Sequence, residues 1–172
     1  GVGRTGKWFA HQHTGIVPDV MTLAKGLGSG IPIGACLAAG KAAETFQPGN
    51  HGSTFGGNPL ASTAGLATLS ILELDNLLSH AASLGTFIKE GLSEALQGID
   101  SVKEIRGQGL MIGIELDRPC GELVKLALDK GLLINVTVDN VIRLLPPLVM
   151  SQDEATQLLD ILCPLIKEFI KS

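Results

Sequence analysis

The sequence predicts an α/β protein built in two parts. Three observations point there. Hydrophobic residues make up 45% of the 172 and charged residues only 17%, with a mean hydropathy of +0.33. That is too apolar for disorder and suits sheets whose faces are covered by helices. Short apolar, β-capable runs at 17–24 and 33–39 are followed by a long helical stretch. After Gly98 the pattern turns to strand–strand–helix–strand–strand–helix, a small α/β module of its own.

Taken in order, residues 1–18 read as loop, with glycines and then the polar His11-Gln12-His13-Thr14. The run 17–24 contains a strand that leads straight into Lys25 and the glycine-rich Gly26-Leu27-Gly28-Ser29-Gly30. Small residues in 33–39 suit a second strand in a buried parallel sheet. Asn58 is placed to cap a helix with Pro59 at its first position. The apolar, Ala-rich 60–74 predicts a helix buried nearly all round. Beyond Asp75-Asn76, the apolar Leu77, Leu78, Ala81, Leu84, Ile88, Leu92 and Ala95 recur at helical spacing up to Gly98. This helical region is expected to bridge the two parts.

In the second part, 102–104 and 110–116 read as strands, with Arg106-Gly107-Gln108-Gly109 as the turn between them. Leu110, Ile112, Ile114 and Leu116 alternate with Met111, Gly113 and Glu115, as one buried strand face requires. A helix over 122–130 is stopped by Gly131, and two short strands follow at 132–136 and 141–144. Ser151-Gln152-Asp153-Glu154 is a capping box opening a last helix. Its apolar face is Ala155, Leu158, Leu159, Leu162, Leu165, Ile166 and Phe169, and Pro164 should kink or restart it.

Composition narrows the function classes. The formal charge is −4 and the isoelectric point about 5.5, with no basic cluster, so nucleic acid and anionic membrane are poor partners. No apolar run approaches the roughly 18 residues of a membrane span, and the stretch from Gly1 does not read as a signal peptide. Cys36, Cys120 and Cys163 are odd in number and widely spaced. A disulfide framework or zinc site is not expected, and a cytoplasmic location is. Gly1-Val2-Gly3-Arg4-Thr5-Gly6-Lys7 fits two nucleotide-binding patterns by letter alone. Trp8 stands where the phosphate-loop pattern needs Ser or Thr, and no strand–helix context supports the dinucleotide one. His11 and His13 lack a third ligand to complete a metal site.

Two segments carry chemistry. Lys25 puts a primary amine at a strand end beside glycines that leave room for a flat ligand, and lysine is the residue that bonds carbonyl compounds and pyridoxal phosphate. His51-Gly52-Ser53-Thr54-Phe55-Gly56-Gly57-Asn58-Pro59 sets hydroxyls and glycines before a helix start, a combination that suits a phosphate or serves only as a helix-capping turn. Arg143, between Ile142 and Leu144, needs a partner if its sheet is covered, either in a structural ion pair or on the substrate side of a site.

Together the two segments resemble the class III, or ω-amino acid, pyridoxal-phosphate aminotransferases. Gly1–Ala10, the run Gly15-Ile16-Val17-Pro18-Asp19-Val20 and Ile142-Arg143-Leu144-Leu145-Pro146-Pro147-Leu148 fit that family in the same order. Within it, the pattern is most similar to the acetylornithine aminotransferases, which move the terminal amino group of N-acetylornithine to 2-oxoglutarate in arginine biosynthesis. Enzymes acting on succinylornithine, ornithine or 4-aminobutyrate are the alternative, and a non-catalytic truncated module is a third.

The resemblance implies the C-terminal portion of a type I pyridoxal-phosphate fold. Residues 1–97 would belong to a large three-layer α/β/α domain and 98–172 to a small α/β domain. It implies that Lys25 bonds the cofactor aldehyde and moves the proton, and that Thr54 holds the phosphate across a homodimer interface. Ser53 would touch the acylated substrate, and Arg143 would lie on the substrate side. The family's Asp-x-x-Gln motif, its ring-stacking elements and its α-carboxylate clamp would all lie before Gly1. The segment alone is therefore expected neither to hold the cofactor stably nor to turn over.

Overall fold

The computed structural model describes residues 1–171, and they divide into two compact units, 1–79 and 80–172. In the first unit the strands are β1 (Val20–Leu23) and β2 (Ala35–Ala38), and the helices α1 (Lys41–Thr45) and α2 (Pro59–Leu74). Helix α3 (Leu77–Ala95) begins at the boundary. The second unit continues with β3 (Val102–Gln108), β4 (Met111–Leu116), α4 (Glu122–Asp129), β5 (Asn135–Thr137), β6 (Val141–Leu144) and α5 (Gln152–Lys171).

In the first unit, β1 and β2 pair antiparallel, Val20 opposite Ala38 and Leu23 opposite Ala35. The parallel arrangement expected for 33–39 is not found. A parallel pair needs a crossover, usually with a helix, whereas the chain here returns through a tight 3-10 turn at Lys25–Gly28. Helix α2 starts where expected: Asn58 Oδ1 accepts from the Ala61 N–H at 3.0 Å, and Pro59 follows. Its burial differs from expectation. Only Ala61, Gly65 and Leu72 are buried, while Leu60, Leu66 and Leu74 are 70%, 67% and 82% exposed. An apolar composition states that a helix wants cover, not which neighbour supplies it.

The second unit is a two-layer sandwich. Its four strands run in the order β3-β4-β6-β5, all antiparallel. One face buries Ile112, Ile114, Leu116, Ile142 and Leu144 against Ala81, Leu84, Ile88 and Leu92 of α3, Leu123 and Ala127 of α4, and Leu158, Leu162 and Ile166 of α5. Helix α3 comes so close to the β3–β4 turn that a Cβ on Gly85 would lie 2.1 Å from the Gly109 carbonyl oxygen. The compact unit begins at His80, and the apolar stripe of α3 packs into this core.

Strand β3 runs on through Arg106-Gly107-Gln108, so the turn shrinks to Gly109-Leu110. Strand β5 is shorter than 132–136 and begins at Asn135. The capping box forms as read: Glu154 accepts from the Ser151 N–H at 2.7 Å, and the Ser151 hydroxyl accepts from the Glu154 N–H at 3.2 Å. Helix α5 passes Pro164 without restarting. Pro164 and Asp160 are both exposed, so the carbonyl that loses its N–H partner there faces water.

Candidate active site

Strand β1 ends at Leu23, and Ala24 stays extended with φ −163° and ψ −161°. Lys25 then adopts φ +54°, left-handed backbone that a non-glycine residue rarely occupies. The turn closes through Leu27 N–H to the Ala24 carbonyl at 3.2 Å and Ser29 N–H to the Gly26 carbonyl at 3.2 Å. Leu27 and Gly28 are buried, and a Cβ on Gly28 would meet Ile33 Cγ2 at 2.7 Å. With that side of the turn packed inward, the Lys25 side chain is thrown outward. It is exposed and makes no hydrogen bond or ion pair among the described residues.

The left-handed conformation of Lys25 costs on the order of 1–2 kcal/mol. Helix α2 braces it. Gly65 sits against the turn, its would-be Cβ 3.7 Å from the Leu27 carbonyl oxygen and 3.6 Å from Ile33 Cδ1. The N-terminus of the same helix follows the loop of Ser53 and Thr54. There Gly56 N–H donates to the Ser53 carbonyl at 3.3 Å, and the Asn58 side-chain amide donates to the Phe55 carbonyl at 2.8 Å. The Ser53 and Thr54 hydroxyls themselves are exposed and have no partner among the described residues. Among the described residues no hydrogen bond joins them to Lys25, and α2 runs from their loop to the Lys25 turn. His51 puts its ring edge-on to Phe46, centroids 4.9 Å apart.

Arg143 belongs to the second unit. It is exposed on β6, directly across from Gly113 on one side and Asn135 on the other. The partner expected for it does not exist among the described residues, because this face of the sheet is open. Beside it lies a group that sequence reasoning missed. Arg106 Nη1 bridges Glu104 at 2.6 Å and Glu115 at 2.5 Å. Those two hydrogen bonds, Glu115 first, raise the Arg106 guanidinium above its ordinary value. Reading Arg106 as a turn residue hid the cluster, and only strand register brings Glu104 opposite Glu115.

The decoys resolve into structure. Gly3 and Gly6 take positive φ in tight turns, and Lys7 Nζ donates to the Gln12 carbonyl at 3.0 Å. His13 Nε2 lies 3.0 Å from the Thr5 hydroxyl and 3.1 Å from its carbonyl, and His11 Nδ1 lies 3.0 Å from the Ile16 carbonyl. No group of three metal-ligating side chains occurs among the described residues. No helix among them is long and apolar enough to cross a membrane.

The model of the family Aminotransferase class-III matches residues 1–166. The chain belongs to the class III aminotransferases. Acetylornithine aminotransferase 1 of Bordetella bronchiseptica is 58% identical over 170 residues, which cover 99% of this chain and 43% of that protein. The acetylornithine aminotransferase of Nitrosomonas europaea is also 58% identical, over 172 residues and 44% of its length. Among solved structures, the ornithine aminotransferase of Toxoplasma gondii ME49 superposes with a TM-score of 0.93 at 32% identity, covering 99% of this chain and 42% of that one. The chain thus spans less than half the length of these relatives.

Class III aminotransferases use pyridoxal phosphate, and the residues present suit that group. The unpartnered Lys25 amine suits an aldehyde, and the two unpartnered hydroxyls before the α2 N-terminus suit a phosphate. The α/β class expected from the sequence agrees with these aminotransferase neighbours. The first unit contributes one two-stranded sheet with the helices α1 and α2.

Proposed function

We propose that the protein carrying this segment is a transaminase that moves the terminal amino group of N2-acetyl-L-ornithine to 2-oxoglutarate. The products are N-acetylglutamate 5-semialdehyde and L-glutamate, a step of arginine biosynthesis. The reading is carried by Lys25, an exposed and unpartnered amine held in left-handed backbone at a strand end. Left-handed backbone at a reactive side chain supports a functional reading. The choice of donor leans on relatives named acetylornithine aminotransferase at 58% identity.

When bound, pyridoxal phosphate supplies the electron sink that makes a proton on the substrate carbon bearing nitrogen removable. Lys25 Nζ would hold the cofactor aldehyde and, when not so engaged, would take that proton and return it. Thr54 donates its hydroxyl to the phosphate of the site in the other subunit of a homodimer, a charge-assisted bond. Ser53 contacts the acyl end of the donor. Arg143 takes a carboxylate of the substrate, for which a guanidinium is the natural partner. The enzyme works in the cytoplasm.

Borohydride reduction of the full-length holoenzyme followed by peptide mapping tests the central assignment. The pyridoxyl label is expected on Lys25, and a label on any other lysine overturns it. A panel of amino donors tests the substrate. The highest kcat/KM is expected for N-acetylornithine, and a higher value for free ornithine or 4-aminobutyrate refutes that choice.

A further inference from the structure

The open face of the four-stranded sheet carries two arginines in one row. Arg106 on β3 and Arg143 on β6 both lie directly across from Gly113 on β4, one on each side. Glu115 stands two residues along β4, opposite Glu104 on one flank and Val141 on the other. It is therefore one diagonal step from each arginine, and diagonal neighbours on a sheet face are within reach of long side chains. A single carboxylate thus has two equivalent suitors.

In the structure the choice is made. Arg106 Nη1 holds Glu115 at 2.5 Å and Glu104 at 2.6 Å, and its side chain leans over Gly113, whose would-be Cβ lies 3.8 Å from Arg106 Cγ. Glu104 and Glu115, directly opposed, would repel each other without the guanidinium between them. Arg143 is left exposed with no carboxylate partner among the described residues.

We propose that Arg106 is a positioning residue that keeps Arg143 available to a dicarboxylate substrate by holding Glu115 away from it. The proposal rests on the reading of Arg143 as a substrate-carboxylate residue given above. Without Arg106, Glu115 turns to Arg143, and the substrate must displace an internal carboxylate before it binds. The cost is that of one partly exposed ion pair, because Arg106, Glu104 and Glu115 keep 43%, 56% and 34% of their side-chain surface in water.

Steady-state kinetics of the full-length holoenzyme test this. Arg106→Gln is expected to raise the KM for 2-oxoglutarate about two- to fivefold, the scale of such a pair, with kcat and the KM for the amino donor unchanged. Adding Glu115→Gln to that variant should restore the KM. Adding Glu104→Gln should not, because Glu104 sits two strands from Arg143 and cannot reach it. Arg106→Lys, which keeps the charge but loses the bridge, should shift the same KM in the same direction by less.

Equal rescue by either glutamine would reveal a bulk charge effect and overturn the proposal. So would an unchanged KM, or a parallel loss in kcat and both KM values. Arg143→Gln separates the two readings. If it raises the KM for 2-oxoglutarate while Arg106→Gln does not, only the positioning role fails. If it leaves that KM unchanged, the assignment of Arg143 fails, and the role of Arg106 with it.

Discussion

The two units of this chain bury their apolar residues to opposite degrees. In 80–172, Ala81, Ile88, Leu92, Leu110, Ile114, Leu123 and Ile166 are all at 0% exposure and belong to one continuous cluster. In 1–79 the large apolar side chains include Val17 at 88%, Phe55 at 79% and Leu74 at 82% exposure. The less covered unit is the one that carries Lys25, Ser53 and Thr54. Left-handed non-glycine backbone occurs in both units, at Lys25 and Ser29 in the first and at Val138 and Asp139 in the second. The candidate covalent and phosphate-binding groups therefore lie outside the well-covered core, and substitutions at the two places should fail in different ways.

The largest effect is expected at Lys25. In the full-length enzyme Lys25→Ala should cut transamination by several orders of magnitude, since both the covalent attachment and the proton transfer are lost. Thermal stability of the apo form should hardly change, because the side chain is exposed and makes no hydrogen bond or ion pair among the described residues. Lys25→Gly should be equally inactive yet as stable as the alanine variant, or more so by about 1 kcal/mol, through relief at φ +54°. A large loss of apo-enzyme stability in either variant would make Lys25 a structural residue and erase the contrast.

The core of the second unit should respond through packing. A Cβ at Gly85 would lie 2.1 Å from the Gly109 carbonyl oxygen, so Gly85→Ala must push α3 off the β3–β4 turn. A loss of about 3 kcal/mol or more is expected, at the upper end of overpacking costs. Leu66→Ser in α2, at a position 67% exposed, should stay within about 0.5 kcal/mol in this 172-residue segment. Urea unfolding of both variants measures the difference. Comparable losses at the two positions would show that the exposed face of α2 is covered after all.

Thr54→Ala probes the less covered unit through its ligand. A hydroxyl donating to a phosphate dianion contributes roughly 1.5–3 kcal/mol, so cofactor affinity of the full-length enzyme should fall by about one to two decades. Because the contact is proposed to cross between subunits, loss of activity on dilution should set in at higher protein concentration in the variant. Unchanged affinity removes Thr54 from the site.

Legibility followed the same divide. Periods of two and of 3.6 residues mark β4, α3 and α5 plainly, because each has one face in a single core that the segment itself supplies. The Ser151–Glu154 cap and the Asn58–Pro59 helix start were legible for a local reason: the partners lie three residues apart. The antiparallel pairing of β2 and the exposure of α2 were not, since composition states a need for cover without naming the neighbour. The continuation of β3 through Gly107 was masked by glycines that look like a turn. Lys25 could be picked out by its place before glycines, but its left-handed backbone could not, because lysine does not advertise that conformation. The Arg106 bridge needed the register of β3 on β4, which no local pattern encodes.

The smallest expected effect lies at the entrance of α5 and depends on pH. Glu154 accepts from the Ser151 backbone N–H at 2.7 Å and from its hydroxyl at 3.0 Å. The backbone bond first, and then the hydroxyl, hold its carboxyl below the ordinary glutamate range. A carboxyl whose folded value is lowered contributes stability that is fully present above its unfolded value, about 4.3 for glutamate, and is lost as pH falls through the folded value. Glu154→Gln should therefore unfold at lower urea than the parent near neutral pH, and the gap should narrow once the pH drops below that range. The pair is exposed and the gap small, so it is best read as a difference between parent and variant at each pH, which cancels the other carboxyls. Leu66→Ser gives the contrasting case, since no titrating group is altered and its offset should be flat with pH. A gap for Glu154→Gln that is equally flat, or that widens in acid, would mean that the glutamate caps α5 by shape alone.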